Sequence, residues 1–221
     1  MKNALIIGAS GGIGAAVAQE LTARGVQVTG LSRSVDGLDV TNEASVQEHL
    51  SRLEGPFDLI FVATGALEIN GAAPEKSIKR LDPQAMMDQF RLNTIGPAMV
   101  LKHAIELVPR KERAVMAVLS ARVGSIGDNG LGGWYSYRTA KAAVNQIVHS
   151  AAIEFARTHK ELACVALHPG TVETNFTAKY ADTHPTVTPE VAAKRLCDVM
   201  ASLTPEETGR FYDYAKKEIQ W

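Results

Sequence analysis

Two tyrosines and a lysine stand at the start of a predicted helix, in the stretch Tyr135-Ser-Tyr-Arg-Thr-Ala-Lys141. Alanine, valine and isoleucine then recur at helical spacing, which predicts one long helix over residues 135–158. A tyrosine with a lysine four residues later is either ordinary helix decoration or a pair that handles a proton. The residue types alone leave both interpretations open, and they leave open which tyrosine belongs to the pair.

A glycine-rich turn near the amino terminus is the second chemical signal. The sequence Gly8-Ala-Ser-Gly-Gly12-Ile-Gly14 follows a predicted strand and opens a predicted helix. Glycines there allow a sharp turn and a close approach of a pyrophosphate to the N–H groups of the helix. Dinucleotide binding is favoured over a merely tight turn, although three residues rather than one separate Gly8 from Gly12. The predicted contacts are Gly8, Ser10, Gly11, Gly12, Ile13 and Gly14.

The end of the second predicted strand bears on the choice between NAD and NADP. An NAD site carries Asp or Glu about twenty residues after the glycine turn, where it binds the ribose 2′-hydroxyl. Here Ser32 occupies that place with Arg33 beside it. A guanidinium pairs with a 2′-phosphate, which a carboxylate would repel, so NADP(H) is favoured over NAD(H). The alternative is that Arg33 is a solvated loop arginine.

Strand-like and helix-like patterns alternate along the whole chain. The predicted strands cover residues 3–9, 26–32, 57–65, 113–121, 161–170 and 209–214. The predicted helices begin at Gly12 and then cover residues 41–53, 86–107 with a break near Gly96-Pro97, 135–158 and 189–203. This alternation predicts an α/β fold, a single Rossmann-type doubly wound domain over 1–221 with a mostly parallel sheet flanked by helices on both faces.

Composition excludes several function classes. The chain has 221 residues, 46% of them hydrophobic and 21% charged, which is typical of a soluble globular protein. A net charge of −1 gives no electrostatic basis for binding nucleic acid. The two cysteines lie in apolar patterns and the six histidines lie far apart, so neither a disulfide nor a metal site is predicted. With no secretory signal and no membrane-spanning segment, a cytoplasmic location is expected.

Five short segments together resemble the short-chain dehydrogenase/reductase family. They are, in order, GASGGIG at 8–14, DVT at 39–41, NTIGP at 93–97, YRTAK at 137–141 and HPGTVET at 168–174. The stretch GSIGDNGLGGWYSYRTAKAAVNQ and the ending GRFYDYAKKEIQW resemble the branch that contains C-factor signalling proteins and sniffer-type carbonyl reductases. The resemblance spans nearly the whole chain, with a dinucleotide-binding part over about 1–120 and a catalytic, substrate-binding part over about 121–221.

The resemblance decides between the two tyrosines. Family members carry Tyr-x-x-x-Lys, which fits Tyr137 and Lys141, whereas Tyr135 is followed four residues later by Thr139. Residues i and i+4 share a helix face, and an ammonium lowers the pKa of a phenol, ordinarily ~10, by stabilising the phenolate. Tyr137 is thus predicted as general acid/base, with Lys141 tuning it and holding the nicotinamide ribose.

Further roles follow from the resemblance alone. Asn93 matches the catalytic asparagine that shapes a helix kink and holds a relay water, although a loop or cap asparagine would look the same. Asp39 and Val40 match a pair that contacts adenine, and Gly65 matches a retained glycine near the cofactor. The segment that holds the nicotinamide carboxamide corresponds to Pro169, Gly170, Thr171, Val172 and Thr174.

Two departures from the family pattern concern the strand ends. Ala121 occupies the place of the usual catalytic serine and has no hydroxyl to orient a substrate carbonyl. Ser125, twelve residues before Tyr137, is the predicted replacement, although capping a turn would equally explain it. Ser120 is predicted to point away from the face of Ala121, because side chains alternate along a strand. Ala63 replaces an asparagine that supports the sheet.

The sequence therefore predicts an NADP(H)-dependent oxidoreductase that reduces an aldehyde or ketone, or oxidises the matching alcohol. The alternative is a dinucleotide-binding signalling or regulatory protein with little turnover. Residues 175–190 are expected to cover the pocket of a small-molecule substrate. Trp134, Tyr135 and Phe176 are candidates for its apolar surface, although ordinary packing would equally explain each of them. The two long helices often form a dimer face in this family, so a homodimer or homotetramer is compatible with the sequence, and a monomer is the alternative in this branch.

Overall fold

One six-stranded parallel sheet runs through the chain, in the order β2-β1-β3-β4-β5-β6. The structure is a computed structural model that describes residues 1–174 and 186–221. The strands are β1 (Asn3–Ile7), β2 (Gln27–Leu31), β3 (Leu59–Val62), β4 (Ala114–Leu119), β5 (Leu162–His168) and β6 (Phe211–Asp213). All six predicted strands are present, and the doubly wound α/β prediction is confirmed.

Continuous apolar runs form the central strands because both faces of the sheet are covered. Along β4, Met116 and Val118 enter one buried cluster, while Val115 and Ala117 enter the cluster on the opposite face. A strand buried on both faces carries no polar alternation, as is usual in parallel sheets.

Seven α-helices are described. They are α1 (Gly12–Ala23), α2 (Arg33–Asp36), α3 (Glu43–Ser51), α4 (Pro83–Phe90), α5 (Gly96–Ala104), α6 (Tyr135–Phe155) and α7 (Pro189–Ser202). Helices α1 and α7 pack together on one face of the sheet, and α3, α5 and α6 cover the other. Within the described residues, no helix is long and apolar enough to cross a membrane, and no cluster of metal-ligating side chains is found.

The irregular turn between the two helices lies slightly earlier in the chain than the predicted break near Gly96-Pro97. A π-helical turn, Arg91–Ile95, joins α4 to α5, and the chain stays helical through Gly96 and Pro97. Pro97 has no N–H to donate to the carbonyl of Asn93, four residues back, and the wider turn accommodates that missing hydrogen bond. The kink therefore falls on Asn93 itself.

The strand order reverses between β1 and β3, which are neighbours in the sheet. The connections that follow β1 and β3 run in opposite directions, which opens a crevice beyond the carboxyl ends of these strands. Gly8 follows β1 and Gly65 follows β3, so both glycine turns lie at this crevice.

Candidate active site

The turn after β1 is shaped by contacts that exclude side chains. Gly8 has φ +90°, and a Cβ there would lie 2.8 Å from the carbonyl oxygen of Ala63. A Cβ on Gly14 would lie 2.2 Å from the Gly8 carbonyl oxygen, so the turn closes directly on the first turn of α1. The N-cap residue Gly11 supplies no side-chain hydrogen bond, so the helix start presents backbone to an incoming anion.

The nicotinamide segment predicted from the sequence returns to this turn. A Cβ on Gly12 would lie 2.7 Å from Cγ2 of Thr174, so the two segments are in close contact. Gly170 has φ +84° and abuts the ring of Tyr214, while Val172 pairs with Val187 in an isolated parallel bridge. Pro169 is buried just before this turn. Phe176 and most of the predicted substrate segment lie outside the described residues.

After β2, where the 2′-phosphate contacts are predicted, the structure gives Ser32 and Arg33 different environments. The buried Ser32 caps α2, and the carboxylate of Asp36 accepts hydrogen bonds from its N–H at 2.7 Å and its hydroxyl at 3.2 Å. Arg33 is exposed. The hydroxyl of Ser34 donates to Ser10 at 2.8 Å, which ties this loop to the glycine-rich turn.

Asp39 and Val40 lie next to the same crevice. The Asp39 carboxylate accepts hydrogen bonds from the hydroxyl of Thr41 at 2.7 Å and from its N–H at 2.9 Å. The bond from the Thr41 hydroxyl is the main cause that lowers the pKa of Asp39. Val40 is buried against Gly96, where a Cβ would lie 2.9 Å from Val40 Cγ2. The loop that contains Asp39 and Val40 therefore packs on the start of α5.

Tyr137 and Lys141 lie on the buried face of α6, while Tyr135 is half-buried and Thr139 is exposed. Lys141 Nζ lies 5.8 Å from the centre of the Tyr137 ring and donates a 3.1 Å hydrogen bond to the carbonyl oxygen of Leu119. The hydroxyl of Thr139 is turned back to its own helix, where it bonds the Tyr135 carbonyl at 2.7 Å. The structure thus brings together the pair selected by the Tyr-x-x-x-Lys spacing.

Burial perturbs both members of the pair. It lowers the pKa of Lys141 to about 8 and raises the pKa of Tyr137. From the sequence we expect a lowered pKa for Tyr137, whereas in the structure the pKa shift of Tyr137 has the opposite direction. The reason is that both side chains are buried, so desolvation of the phenolate outweighs attraction to the ammonium.

Asn93 is fully buried at the π-helical turn and holds the loop after β3. Its side-chain oxygen accepts the Ala66 N–H at 3.1 Å, and its side-chain nitrogen donates to the Ala66 carbonyl at 2.9 Å and to Gln89 Oε1 at 2.6 Å. Next to it, the Thr94 hydroxyl donates to the Ala140 carbonyl at 2.8 Å, which docks the turn on α6.

Gly65 is the point where these elements meet. Its φ is +146°, and a Cβ there would lie 2.6 Å from Asn93 Oδ1 and 3.4 Å from Lys141 Nζ. Gly65 is itself exposed, so the crevice opens over these two side chains. Beside it, the buried hydroxyl of Thr64 has no hydrogen-bond partner among the described residues. These features fit a bound dinucleotide, which needs close backbone approach and polar partners at this place.

The serines near Ala121 are both engaged in hydrogen bonds. The Ser120 hydroxyl donates to Asn145 Oδ1 of α6 at 2.5 Å, and both residues are buried. The Ser125 hydroxyl accepts the Asp128 N–H at 3.0 Å, which is the turn-capping contact considered as its alternative role. Ala121 precedes a short 3₁₀ turn and offers no side-chain hydrogen bond. The Ser125 hydroxyl still has its own proton to donate.

Two polar residues of the site were not predicted from the sequence. Gln89 is buried and bonds both Asn93 and the Leu67 carbonyl, the latter at 2.8 Å. Its position four residues before Asn93 on a helix was a usable signal. Glu75 is 8% exposed and binds Ser136, next to Tyr137. Nothing in the local pattern around Glu75 marks it, because its partner lies 61 residues away.

Comparisons with known proteins identify the family. The family model described as short chain dehydrogenase matches residues 37–185. The chain is 32% identical to 1-hydroxy-2-glutathionyl-2-methyl-3-butene dehydrogenase of Rhodococcus sp. (strain AD45), with 100% of both chains covered. It is 30% identical to C-signal of Myxococcus xanthus over 64% of this chain and 81% of that protein, in line with the predicted C-factor branch.

A solved structure gives the same result for the fold. A short-chain dehydrogenase/reductase from Burkholderia multivorans with bound NADP superposes with a TM-score of 0.81 at 25% identity, covering 100% of this chain and 99% of that one. The family-model match spans more than half of the sequence, and the first relative aligns from end to end. The chain belongs to the short-chain dehydrogenase/reductase family of oxidoreductases.

Proposed function

We propose that the chain is an NADP(H)-dependent carbonyl reductase, which also oxidises the matching alcohol. The observation that carries this proposal is the buried pair of Tyr137 and Lys141, set against Asn93 and Gly65 at the sheet crevice. A bound nicotinamide cofactor supplies the hydride. Tyr137 donates its phenolic proton to the carbonyl oxygen, and it accepts that proton back when the alcohol is oxidised.

The raised pKa of Tyr137 keeps the phenol protonated at neutral pH, which suits the direction of reduction. Lys141 holds its ammonium beside the phenol and is anchored on Leu119, so it tunes the transfer and orients the cofactor ribose. Asn93 supports the proton relay from the π-helical turn. Ser125, which has a proton to donate, orients the substrate carbonyl in place of the residue lost at Ala121.

For the cofactor, we propose contacts along one edge of the sheet, and a preference for NADP(H). The pyrophosphate binds over Gly8–Gly14, and Arg33 with Ser32 receives the 2′-phosphate. The Burkholderia relative with bound NADP supports this assignment. Further contacts are proposed for Asp39, Val40, Gly65, Pro169, Gly170, Val172 and Thr174. The dinucleotide-binding part then covers about 1–120, and the substrate-binding part about 121–221.

The test uses wild type, Tyr137→Phe and the matched control Tyr135→Phe, two residues away on the same helix. Loss of NADPH absorbance is followed with aldehydes, ketones and quinones. Alcohol oxidation is followed with 1-hydroxy-2-glutathionyl-2-methyl-3-butene, named in the Rhodococcus relative. We expect Tyr137→Phe to lose at least about a hundredfold in kcat, the lower end of the contribution from general acid catalysis, while it still binds NADPH. Wild-type activity of Tyr137→Phe would contradict the role of Tyr137.

A second candidate function is a dinucleotide-binding signalling protein with little turnover. It is favoured by Ala121, which lacks the usual hydroxyl, and by the likeness to C-signal. Tight NADPH binding without turnover that depends on Tyr137, across the whole substrate panel, would support it. In that case Ala121→Ser would be the first variant to test for restored activity.

A further inference from the structure

The loop over residues 66–75 is hydrogen-bonded to α4 and to the start of α6. Its first residues bond Asn93 and Gln89 through the contacts described above. At its tip, a tight hairpin turn places Asn70 so that its side-chain nitrogen donates to Asp88 of α4 at 2.9 Å. The loop is therefore fixed along α4 before it reaches the start of α6.

Glu75, at the far end of this loop, makes three contacts with the start of α6. Its Oε2 accepts the Ser136 N–H at 3.2 Å, and its Oε1 accepts a short hydrogen bond from the Ser136 hydroxyl. Its backbone carbonyl accepts the Trp134 N–H at 2.6 Å. A carboxylate that is 8% exposed requires such partners, because an unpaired buried charge is strongly unfavourable.

Helix α6 needs this contact because it has no local side-chain cap. Its N-cap residue Trp134 has φ +53° and makes no side-chain hydrogen bond to the first turn, which also holds no acidic residue. A cap normally satisfies an N–H at N2 or N3, and a negative charge at this end stabilises the helix dipole. The Glu75 carboxylate does both, from another part of the chain.

We propose that Glu75 is a positioning residue for Tyr137, a role that rests on the function proposed above. The carboxylate holds Ser136, the residue directly before Tyr137, and so fixes the first turn of the catalytic helix. A small cavity lined by Glu75, Gln89, Ser136 and Tyr137 lies beside this turn. Without the carboxylate, the turn has room to shift, and the phenol moves relative to the substrate.

The test compares turnover by wild type, Glu75→Gln and Glu75→Ala, with Asp82→Ala as the control. Asp82 caps α4 through the Ala85 N–H, so its loss removes a side-chain cap from a different helix. Glutamine keeps the shape and one acceptor oxygen, so kcat should fall in the order wild type, Glu75→Gln, Glu75→Ala.

We expect at least about a tenfold loss of kcat for Glu75→Ala, with the Kd of NADPH within about twofold of wild type, because misplacement affects the chemical step and not the glycine turn. Should Glu75→Ala not fold, Glu75→Gln carries the comparison. Wild-type kcat in the Glu75 variants, or an equal loss in Asp82→Ala, overturns the role.

A second readout separates this inference from the proposed function. Hydrogen exchange of the amides at the start of α6 reports the cap whether or not any substrate is turned over. Faster exchange in Glu75→Ala, confined to that turn, supports the part of the inference that Glu75 fixes the start of α6, even if wild type reduces no carbonyl in the panel. Unchanged exchange there overturns it, whatever the turnover.

Discussion

The ammonium group of Lys141 donates its hydrogen bond to the carbonyl oxygen of Leu119, the last residue of β4, at 3.1 Å. This contact fixes the lysine between the sheet and the phenol of Tyr137. Because Lys141 is only 3% exposed, the site holds a cation where water is excluded. Such an arrangement favours chemistry at the expense of stability.

Lys141→Met should therefore stabilise the chain without cofactor while abolishing turnover. The pKa of Lys141 is about 8 in the fold and 10.5 in the unfolded chain, so the unfolded chain binds more protons between these values. Wild-type stability should rise with pH across this window. At about pH 7 the variant should gain on the order of 3 kcal/mol, from about 1.4 kcal/mol per pKa unit.

Urea unfolding of both proteins from about pH 7 to about pH 10 measures this difference, which should shrink as pH rises. Lys79→Met, an exposed lysine, is the control for the loss of a surface charge. A constant difference between wild type and Lys141→Met across the range would show that burial does not perturb this lysine.

Gly65→Ala should damage the site more than the fold. The new methyl would lie 2.6 Å from Asn93 Oδ1 and 3.4 Å from Lys141 Nζ, at φ +146°. We expect at least about a tenfold loss of kcat, because both side chains must move. The matched control is Gly71→Ala, which has φ +79° and no atom within 4 Å of the added Cβ, so it adds strain alone. Equal kcat values in the two variants would refute the steric argument.

Gln89→Leu should lower the free energy of unfolding by about 1–3 kcal/mol, the cost of leaving buried polar groups without a partner. The groups affected are the side-chain nitrogen of Asn93 and the carbonyl of Leu67. The exposed Gln84 lies on the same helix and bonds the half-buried Asp88, so Gln84→Leu should change the free energy of unfolding by less than about 0.5 kcal/mol. Chemical denaturation of the two variants measures the contrast; a similar loss in both would mean that the buried network contributes little.

Arg33→Ala should raise the Kd of NADPH about tenfold and leave the Kd of NADH unchanged, since a charged hydrogen bond to phosphate is lost. The effect should weaken at high salt because Arg33 is exposed. Arg52→Ala removes an exposed arginine from α3 and controls for net charge. If Arg33→Ala weakened the binding of NADPH and of NADH by the same factor, the 2′-phosphate would have to bind elsewhere.

The strands and the glycine turn could be predicted from the sequence because their causes are local. A run such as Ala114–Leu119 is apolar at every position, which a strand covered on both faces requires. Helix geometry places residues i and i+4 on one face, and the resemblance to the family selects Tyr137 with Lys141. These features depend on residues within one or two turns of each other.

Other features depend on distant parts of the chain. The direction of the pKa shift at Tyr137 is set by how deeply the fold buries it, which no spacing reports. The hydrogen bonds of Ser125 and Glu75 likewise depend on which loops meet in space. The π-helical turn at Asn93 could be placed only approximately, because Gly96-Pro97 predicts a break but not its form.

The cap on α6 also has a consequence for the order of folding. The carboxylate of Glu75 and its partner Ser136 are 61 positions apart, and β4 lies between them in the sequence. Closing so long a stretch of chain costs conformational entropy before the contact rewards it. We therefore expect the first turn of α6 to gain its native hydrogen bonds after β4 has joined the sheet. During refolding, helical signal should return before the ability to turn over substrate.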